Sequence, residues 1–268
     1  MARVLKIEKF LSYALILKLL FYNYVNLLIV KQPAKGSKKL MSKRIDLHIH
    51  TFHSDGVMLP SEVITKAMQM NYQAIALTDH ADESNLEELV YNFKTLLKMT
   101  PPEKLEVLIG VELSYIYPEE LEPLAQKARN LGVQVILVHG DSPVEPFAGE
   151  INEAAVRCKE GLIDIIAHPG FITPEQAKLA AEKNIYLELS SRKGHCIANG
   201  HIAKMAVEAG TRMIVNSDAH TGTDLITFEF SQAVAKGAGL DDDEVYRVTE
   251  VYPVELVEKA RKIKFLQL

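Results

Sequence analysis

From Arg44 onward the chain repeats one pattern: a short, almost wholly apolar run, then a polar turn. The runs are RIDLHI (44–49), QAIALT (73–78), LEVLIGVEL (105–113), VQVILV (133–138), IDIIA (163–167), IYLELS (185–190) and RMIVNS (212–217). Unbroken apolarity over so few residues marks parallel strands buried on both faces. Amphipathic stretches separate the runs. PSEVITKAMQM (60–70) opens with Pro60 and Ser61. TPEQAKLAAEKN (173–184) puts Thr173 as N-cap before Pro174, and NGHIAKMAVEAG (199–210) offers Asn199 as N-cap and Gly210 as C-cap. Seven strand–helix units without a break predict a single α/β domain, a closed or nearly closed (β/α)7 barrel. A doubly wound open sheet is the alternative. No glycine-rich loop follows any run, which argues against a Rossmann or P-loop nucleotide site.

The carboxyl ends of parallel strands share one rim, and that rim carries the site in such folds. Here the rim positions hold chemistry. His48 and His50 close the first run, His80 follows the second in TDH, and Glu112 ends the third in GVELS. His139 follows the fourth, His168 the fifth, and Asp218 and His220 the seventh. His48 and His50 are two apart on a strand, so they leave the same face. Imidazoles and carboxylates are ligands for Zn, Mn or Fe, so this set predicts a centre of two or three divalent ions that activates water.

Other residues read differently. Asp55 in HSDG is a ligand or a turn residue on spacing alone. His53 reads as a turn residue, and His201 as a surface or capping residue. Asp79 orients neighbouring ligands, and Asp141 is a turn residue. His195, in SSRKGHC, stands at the same rim and is a candidate for substrate contact.

Taken together, DLHIHTFHSDG (46–56), ALTDHAD (76–82), GVELS (110–114), VHGD (138–141), AHPG (167–170) and NSDAH (216–220) resemble the PHP family, the polymerase and histidinol phosphatase domain. The resemblance spans about 44–224. It implies a distorted seven-stranded barrel with a di- or trinuclear metal site. It implies that His48, His50, Glu112 and Asp218 hold one ion. Glu112 then bridges to a second ion with His139 and His168, and Asp55, His80 and His220 hold a third. Every expected ligand position is filled, which argues against a degenerate, purely structural module.

The function expected from this is metal-dependent phosphoester hydrolysis, with Glu112, Asp218 and His195 in the catalytic set. Arg192 is the first choice for a phosphate clamp, because guanidinium binds phosphate oxygens bidentately, and Lys193 the second. His195 is also a candidate proton donor to the leaving group. Residues 44–268 hold 21 Lys/Arg and 34 Asp/Glu, a net of −13. That charge favours a small phosphorylated metabolite, histidinol phosphate among the candidates, over long nucleic acid. A 3′–5′ exonuclease or phosphodiesterase is the alternative. A metal-dependent amidohydrolase is a weaker one, since no run ends in the lysine that such enzymes use. A non-catalytic, membrane-tethered module is weaker still.

Residues 1–43 are unlike the rest, with nine Lys/Arg and one acid, Glu8. Within them FLSYALILKLLFYNYVNLLIV (10–30) is long enough to span a bilayer, but Lys18, Asn23 and Asn26 interrupt it. The expectation is that translation starts at or near Met41 and that residues 1–40 are an upstream extension; an anchor through 10–30 is the alternative. The domain division is therefore 1–43 and 44–268. Two cysteines, Cys158 and Cys196, form no framework and suggest a reducing, cytoplasmic compartment. Residues 225–268 read as two amphipathic helices, the second starting at the acidic stretch Asp241–Glu244.

Overall fold

The structure, a computed structural model, describes residues 44–99, 104–145 and 150–263. The extension 1–43 and its span 10–30 lie outside the described residues. Among the described residues no helix is long and apolar enough to cross a membrane.

The strands are β1 (Ile45–Asp46), β2 (Ala74–Leu77), β3 (His80–Ala81), β4 (Glu106–Leu113), β5 (Val135–His139), β6 (Ile165–Ala167), β7 (Tyr186–Ser190) and β8 (Met213–Asn216). All pairings are parallel, and the order β1-β2-β4-β5-β6-β7-β8 follows the chain. An order that never reverses is a barrel and excludes the doubly wound sheet. The eighth strand, β3, extends β2: Leu77 pairs with Ile109 and His80 with Glu112, in one register along β4.

The helices between them are α1 (Pro60–Gln69), α2 (Leu86–Met99), α3 (Pro118–Asn130), α4 (Ile151–Arg157), α5 (Pro174–Glu182) and α6 (Asn199–Ala209). Thr173 caps α5 as expected, in a capping box with Gln176. Gly210 ends α6 with φ 71°, a left-handed turn that suits glycine. Asn199 is not a cap. A 3₁₀ turn, His195–Ala198, precedes α6, and Asn199 instead donates its side-chain amide to Ser190 O at 2.8 Å. Beyond β8 lie α7 (Phe228–Gly237), α8 (Asp242–Tyr246) and α9 (Tyr252–Ala260), the last two joined through a π turn. Asp241 caps α8 in a box with Glu244.

Alternation along the strands sorts the core into two. Ile75, Leu77, Ile109, Val111, Ile136, Val138 and Val215 face the surrounding helices. Ile45, Leu47, Leu108, Val135, Leu137, Ile165 and Ile214 form the barrel interior, together with Leu256, Val257 and Ala260 of α9. Gln134, Asp164 and Glu106, at the starts of their strands, bond to Ala260 O, Lys259 and Arg261. Helix α9 therefore closes the amino-terminal mouth of the barrel. The interior is apolar below and polar above: the column through Leu108 continues to Glu112, that through Leu137 to His139, and that through Tyr186 to Glu188.

The seam between β1 and β8 carries one main-chain bridge, Ile49 to Ala219. Side chains supply the rest. Asn216 Oδ1 accepts from Leu47 N and Asp46 Oδ1 from Ser217 N, both at 3.0 Å, and Arg44 Nη1 donates to Val215 O at 2.7 Å. Arg44 and Asp46 pair at 2.8 Å and are both buried. Asp46→Ala strips a buried guanidinium of its carboxylate and opens the seam. It is expected to cost about 3 kcal/mol or more, read as a lower urea midpoint. An unchanged midpoint would contradict this account of the seam.

Candidate metal centre

The segments after β1 and β8, together with the end of β4, deliver the first group. His48 Nε2 and His50 Nε2 lie 3.0 Å apart. Glu112 Oε2 is 3.3 Å from the first and 3.4 Å from the second. Asp218 Oδ1 is 3.6 and 3.3 Å away from the same two nitrogens. Two ligand atoms about 2.0–2.1 Å from one ion lie roughly 3 Å apart or a little more, so these separations are the edges of a coordination shell. Both Glu112 oxygens are buried, and among the described residues neither accepts a well-formed hydrogen bond, although His80 Nδ1 stands 2.9 Å from Oε2. A buried carboxylate without donors is costly unless a cation satisfies it. The donor set thus fits a divalent ion.

A second group forms around Asp55. Its Oδ2 is 3.0 Å from His220 Nε2, and its Oδ1 is 3.6 Å from His80 Nε2 and 3.5 Å from His50 Nδ1. His50 therefore turns one nitrogen to each group. The third cluster uses the other oxygen of Glu112, with His168 Nε2 3.5 Å from Oε1. His168 Nε2 and His195 Nε2 lie 3.8 and 3.9 Å from Asp218 Oδ2. His139 stands at the edge of this cluster, ring to ring 4.6 Å from His168, with Nε2 3.2 Å from Glu145 Oε2. His168 and Asp218 have left-handed backbones, φ 29° and 53°, a strain that sites of this kind tolerate to aim a side chain.

The charges show what the cluster lacks. Burial works against His48, yet Glu188, Glu112 and Asp218 together hold its pKa well above the usual imidazole value. Burial likewise opposes charge on His80, but Glu112 and Asp55 raise it to about 10. Glu112 is held well below the carboxylate range, with His48 and His80 outweighing desolvation, and Asp218 is lowered chiefly by His48 and His50. At His50 burial prevails and lowers the pKa. His195 falls to about 4, through burial and the neighbouring His168. Protons on imidazoles here answer buried acids; a cation would replace them and release them.

Arg192 lies within reach of the cluster. Its Nη1 donates to Asp218 O at 3.3 Å and contacts His220 Nδ1, and its Nε is 3.7 Å from Asp218 Oδ2. Lys193 is exposed and lines a cavity of about 640 Å³ with Arg192, Ser191, Ser217 and Phe230. His195 is buried, stacked on His168 at 4.0 Å, with Nδ1 2.7 Å from Ser142 Oγ. Asp79 accepts from Thr51 N, Thr51 Oγ1 and Ser54 Oγ, fixing the loop that carries Asp55. Asp141 accepts from Ile151 N and Asn152 N, so it caps α4 from outside. Gly140 allows the close approach of the β5 and β6 loops: a Cβ there would sit 2.4 Å from Ala167 O. His53 N bonds to Thr51 Oγ1, and its ring packs on Phe52 and Phe93 away from the cluster. His201 caps nothing in its own helix and contacts Ile172 O at 2.8 Å.

Three residues escaped the reading of the sequence. Glu188 is wholly buried, 2.8 Å from His48 Nδ1, and also accepts from Asn216 Nδ2 and His168 N at 2.9 Å each. A lone acid inside the apolar run YLELS was its one signal. Tyr115, with φ 57°, lays its ring 5.8 Å from that of His139. Glu145 lies on the loop after β5 and has no periodic signal.

Residues 46–174 match the family model described as PHP domain. The chain is 40% identical to the "Uncharacterized protein MJ1295" of Methanocaldococcus jannaschii, over 81% of this chain and 99% of that one. It is 32% identical to the "Probable phosphatase Teth514_1060" of Thermoanaerobacter sp., over 82% and 96%. It is 26% identical to "Ribonuclease P protein component 3" of Methanosarcina barkeri, over 82% and 90%. The chain belongs to the PHP family. In fold it is similar to histidinol phosphate phosphatase of Lactococcus lactis, solved with zinc, L-histidinol and phosphate (TM-score 0.55, 16% identity, 74% and 95% covered). It is equally similar to a chain of archaeal ribonuclease P with mature tRNA (TM-score 0.55, 20% identity, 82% and 89% covered).

Glu188 holds the His48 ring by its second nitrogen, the arrangement that orients a ligating imidazole. Glu188→Gln is expected to weaken cation binding roughly 10–100-fold with little change in fold. Equilibrium dialysis followed by metal analysis reads this directly, and wild-type affinity in the variant would remove Glu188 from that role.

Proposed function

We propose that the protein is a metal-dependent phosphoesterase, first of all a phosphatase of a small phosphomonoester, with histidinol phosphate one candidate. The observation that carries this is Glu112: buried, without a well-formed hydrogen bond on either oxygen among the described residues, and ringed by imidazoles and Asp218. In this reading His48, His50, Asp55, His80, Glu112, His139, His168, Asp218 and His220 hold two or three divalent ions. Zn, Mn or Fe bound there supplies positive charge that lowers the pKa of water and neutralises phosphate oxygens.

The chain's own residues do the rest. Glu112 offers one oxygen to the His48–His50 side and the other to His168, so it sets the spacing between neighbouring positions. Asp218 divides its oxygens in the same way. Arg192 extends its guanidinium along this edge, where bidentate bonds to a phosphate can form. Lys193 and the cavity beside it receive the leaving group. His195 stays in the catalytic set. Its burial and its tie to Ser142 suit a lone-pair donor facing Asp218 more than a proton donor to a departing alcohol.

The net charge of −13 on residues 44–268 favours a small substrate whose phosphate is met locally. The relative in Thermoanaerobacter, named a probable phosphatase, supports the same reading. A second reading follows the similarity to ribonuclease P protein component 3: a subunit that works in an RNA–protein assembly. It predicts RNA or partner binding without turnover, and the complete set of ligand-type residues weighs against it.

The test is hydrolysis by the chain reconstituted with Mn, Zn or Fe, against phosphomonoesters, phosphodiesters and cyclic amides. Phosphomonoester turnover is expected, falling at least roughly 100-fold in His48→Ala and Asp218→Ala. Turnover that survives both substitutions sinks the mechanism. Diester or amide turnover alone would replace the substrate class. Arg192→Ala is expected to raise KM for phosphomonoesters at least roughly tenfold, the scale of a charge-assisted hydrogen bond, with metal content intact. An unchanged KM would remove Arg192 from the clamp.

A further inference from the structure

The nine residues expected as ligands leave two groups at the rim without an assigned use toward the cations. One is Glu145, on the loop that follows β5. Its carboxylate spans two imidazoles from different strands, with Oε2 3.2 Å from His139 Nε2 and Oε1 3.5 Å from His195 Nε2. The other is His195 itself. Its Nε2 faces Asp218 Oδ2 at 3.9 Å, its ring stacks on His168, and its Nδ1 lies 2.7 Å from Ser142 Oγ.

These contacts form a chain. His139 meets Glu145, Glu145 meets His195, His195 meets Asp218, Asp218 meets His168, and His168 meets Glu112, with separations of 3.2 to 3.9 Å. Each link is a separation that two ligands of one ion can have, about 2 Å from the ion and roughly 3 Å or more from each other, and Glu145 turns a different oxygen to each of its two imidazoles. The loop that carries Glu145 is also docked. Ser142 on the same loop bonds to His195, and Val144 Cγ2 would lie 3.3 Å from a Cβ on Gly194, next to His195. His168, Asp218 and His195 are each about 98% shielded from solvent beneath this contact, whereas Glu145 is 42% exposed at its edge.

We propose that Glu145 and His195 are ligands of the cation position between His139 and His168, in addition to Glu112. The position so built is richer in oxygen and charge than one made by His139, His168 and Glu112 alone. Carboxylate oxygen suits manganese better than zinc, so Glu145 biases this position toward the harder ion. The inference rests on the reading that the cluster holds divalent cations, and the experiment separates the two.

Equilibrium dialysis of the full chain against graded Mn²⁺, and in parallel Zn²⁺, gives ions bound per chain and their affinities. Wild type, Glu145→Gln, Glu145→Ala and His195→Gln are compared, with thermal melts reporting fold. Glu145 is exposed, so its variants keep the fold even if the buried His195→Gln does not. The expected result is that both Glu145 variants weaken one Mn²⁺ position at least tenfold, leave the remaining positions at wild-type affinity, and affect Zn²⁺ less. The Mn²⁺ electron paramagnetic resonance spectrum loses the corresponding bound component. Wild-type count and affinity in both Glu145 variants would overturn the proposal, as would tighter binding, which would make Glu145 a mere counter-ion to protonated imidazoles. A wild-type chain that binds no ion at all would overturn the phosphoesterase reading itself, and this one with it.

Discussion

Buried negative charge is the constraint on which this molecule turns. Glu112, Glu188 and Asp218 sit at the top of the barrel with essentially no contact with solvent. Carboxylates in such a place need opposite charge close by. The surrounding imidazoles supply it as protons, or cations supply it while the imidazoles stay neutral. The ring of histidines is thus the counterpart of the acids, and neither is tolerable without the other.

The scaffold makes that concentration of polar groups possible by keeping them in one layer. Each interior column begins in apolar residues and turns polar only near the carboxyl end of its strand. Helix α9 adds Leu256, Val257 and Ala260 to the lower layers and bars that mouth. Whatever reaches the cluster comes over the rim, past Arg192, Tyr115 and Glu145.

Much of this was legible in the chain. Six of the seven apolar runs match strands to within two residues, because burial on both faces leaves no choice of residue type, whereas the first, 44–49, holds only the two-residue β1. The polar residue that ends each run could be read as a rim residue for the same reason. Asp55, which spacing leaves open and the family resemblance groups with His80 and His220, lies between these two and His50 in the fold. Glu188 was not legible as a partner of His48, since the two are 140 residues apart and only barrel closure brings them together. Asn199 reads as a helix cap because its type and place fit one, and a tertiary bond to Ser190 takes its side chain instead. The two-residue β3 falls below the length at which any run can be recognised.

The seam between β1 and β8 has a meaning for how the molecule comes into being. Arg44 and Val215, joined across it, are 171 residues apart. The first strand to be made therefore waits for the last before the cylinder can close, the slow kind of contact in folding. His48 and His50 stand on one side of that join, Asp218 and His220 on the other. The centre does not exist in any partly folded chain that lacks the join. An ion held there would be gripped from both sides of the join, and its binding and the closure of the barrel would then be one equilibrium.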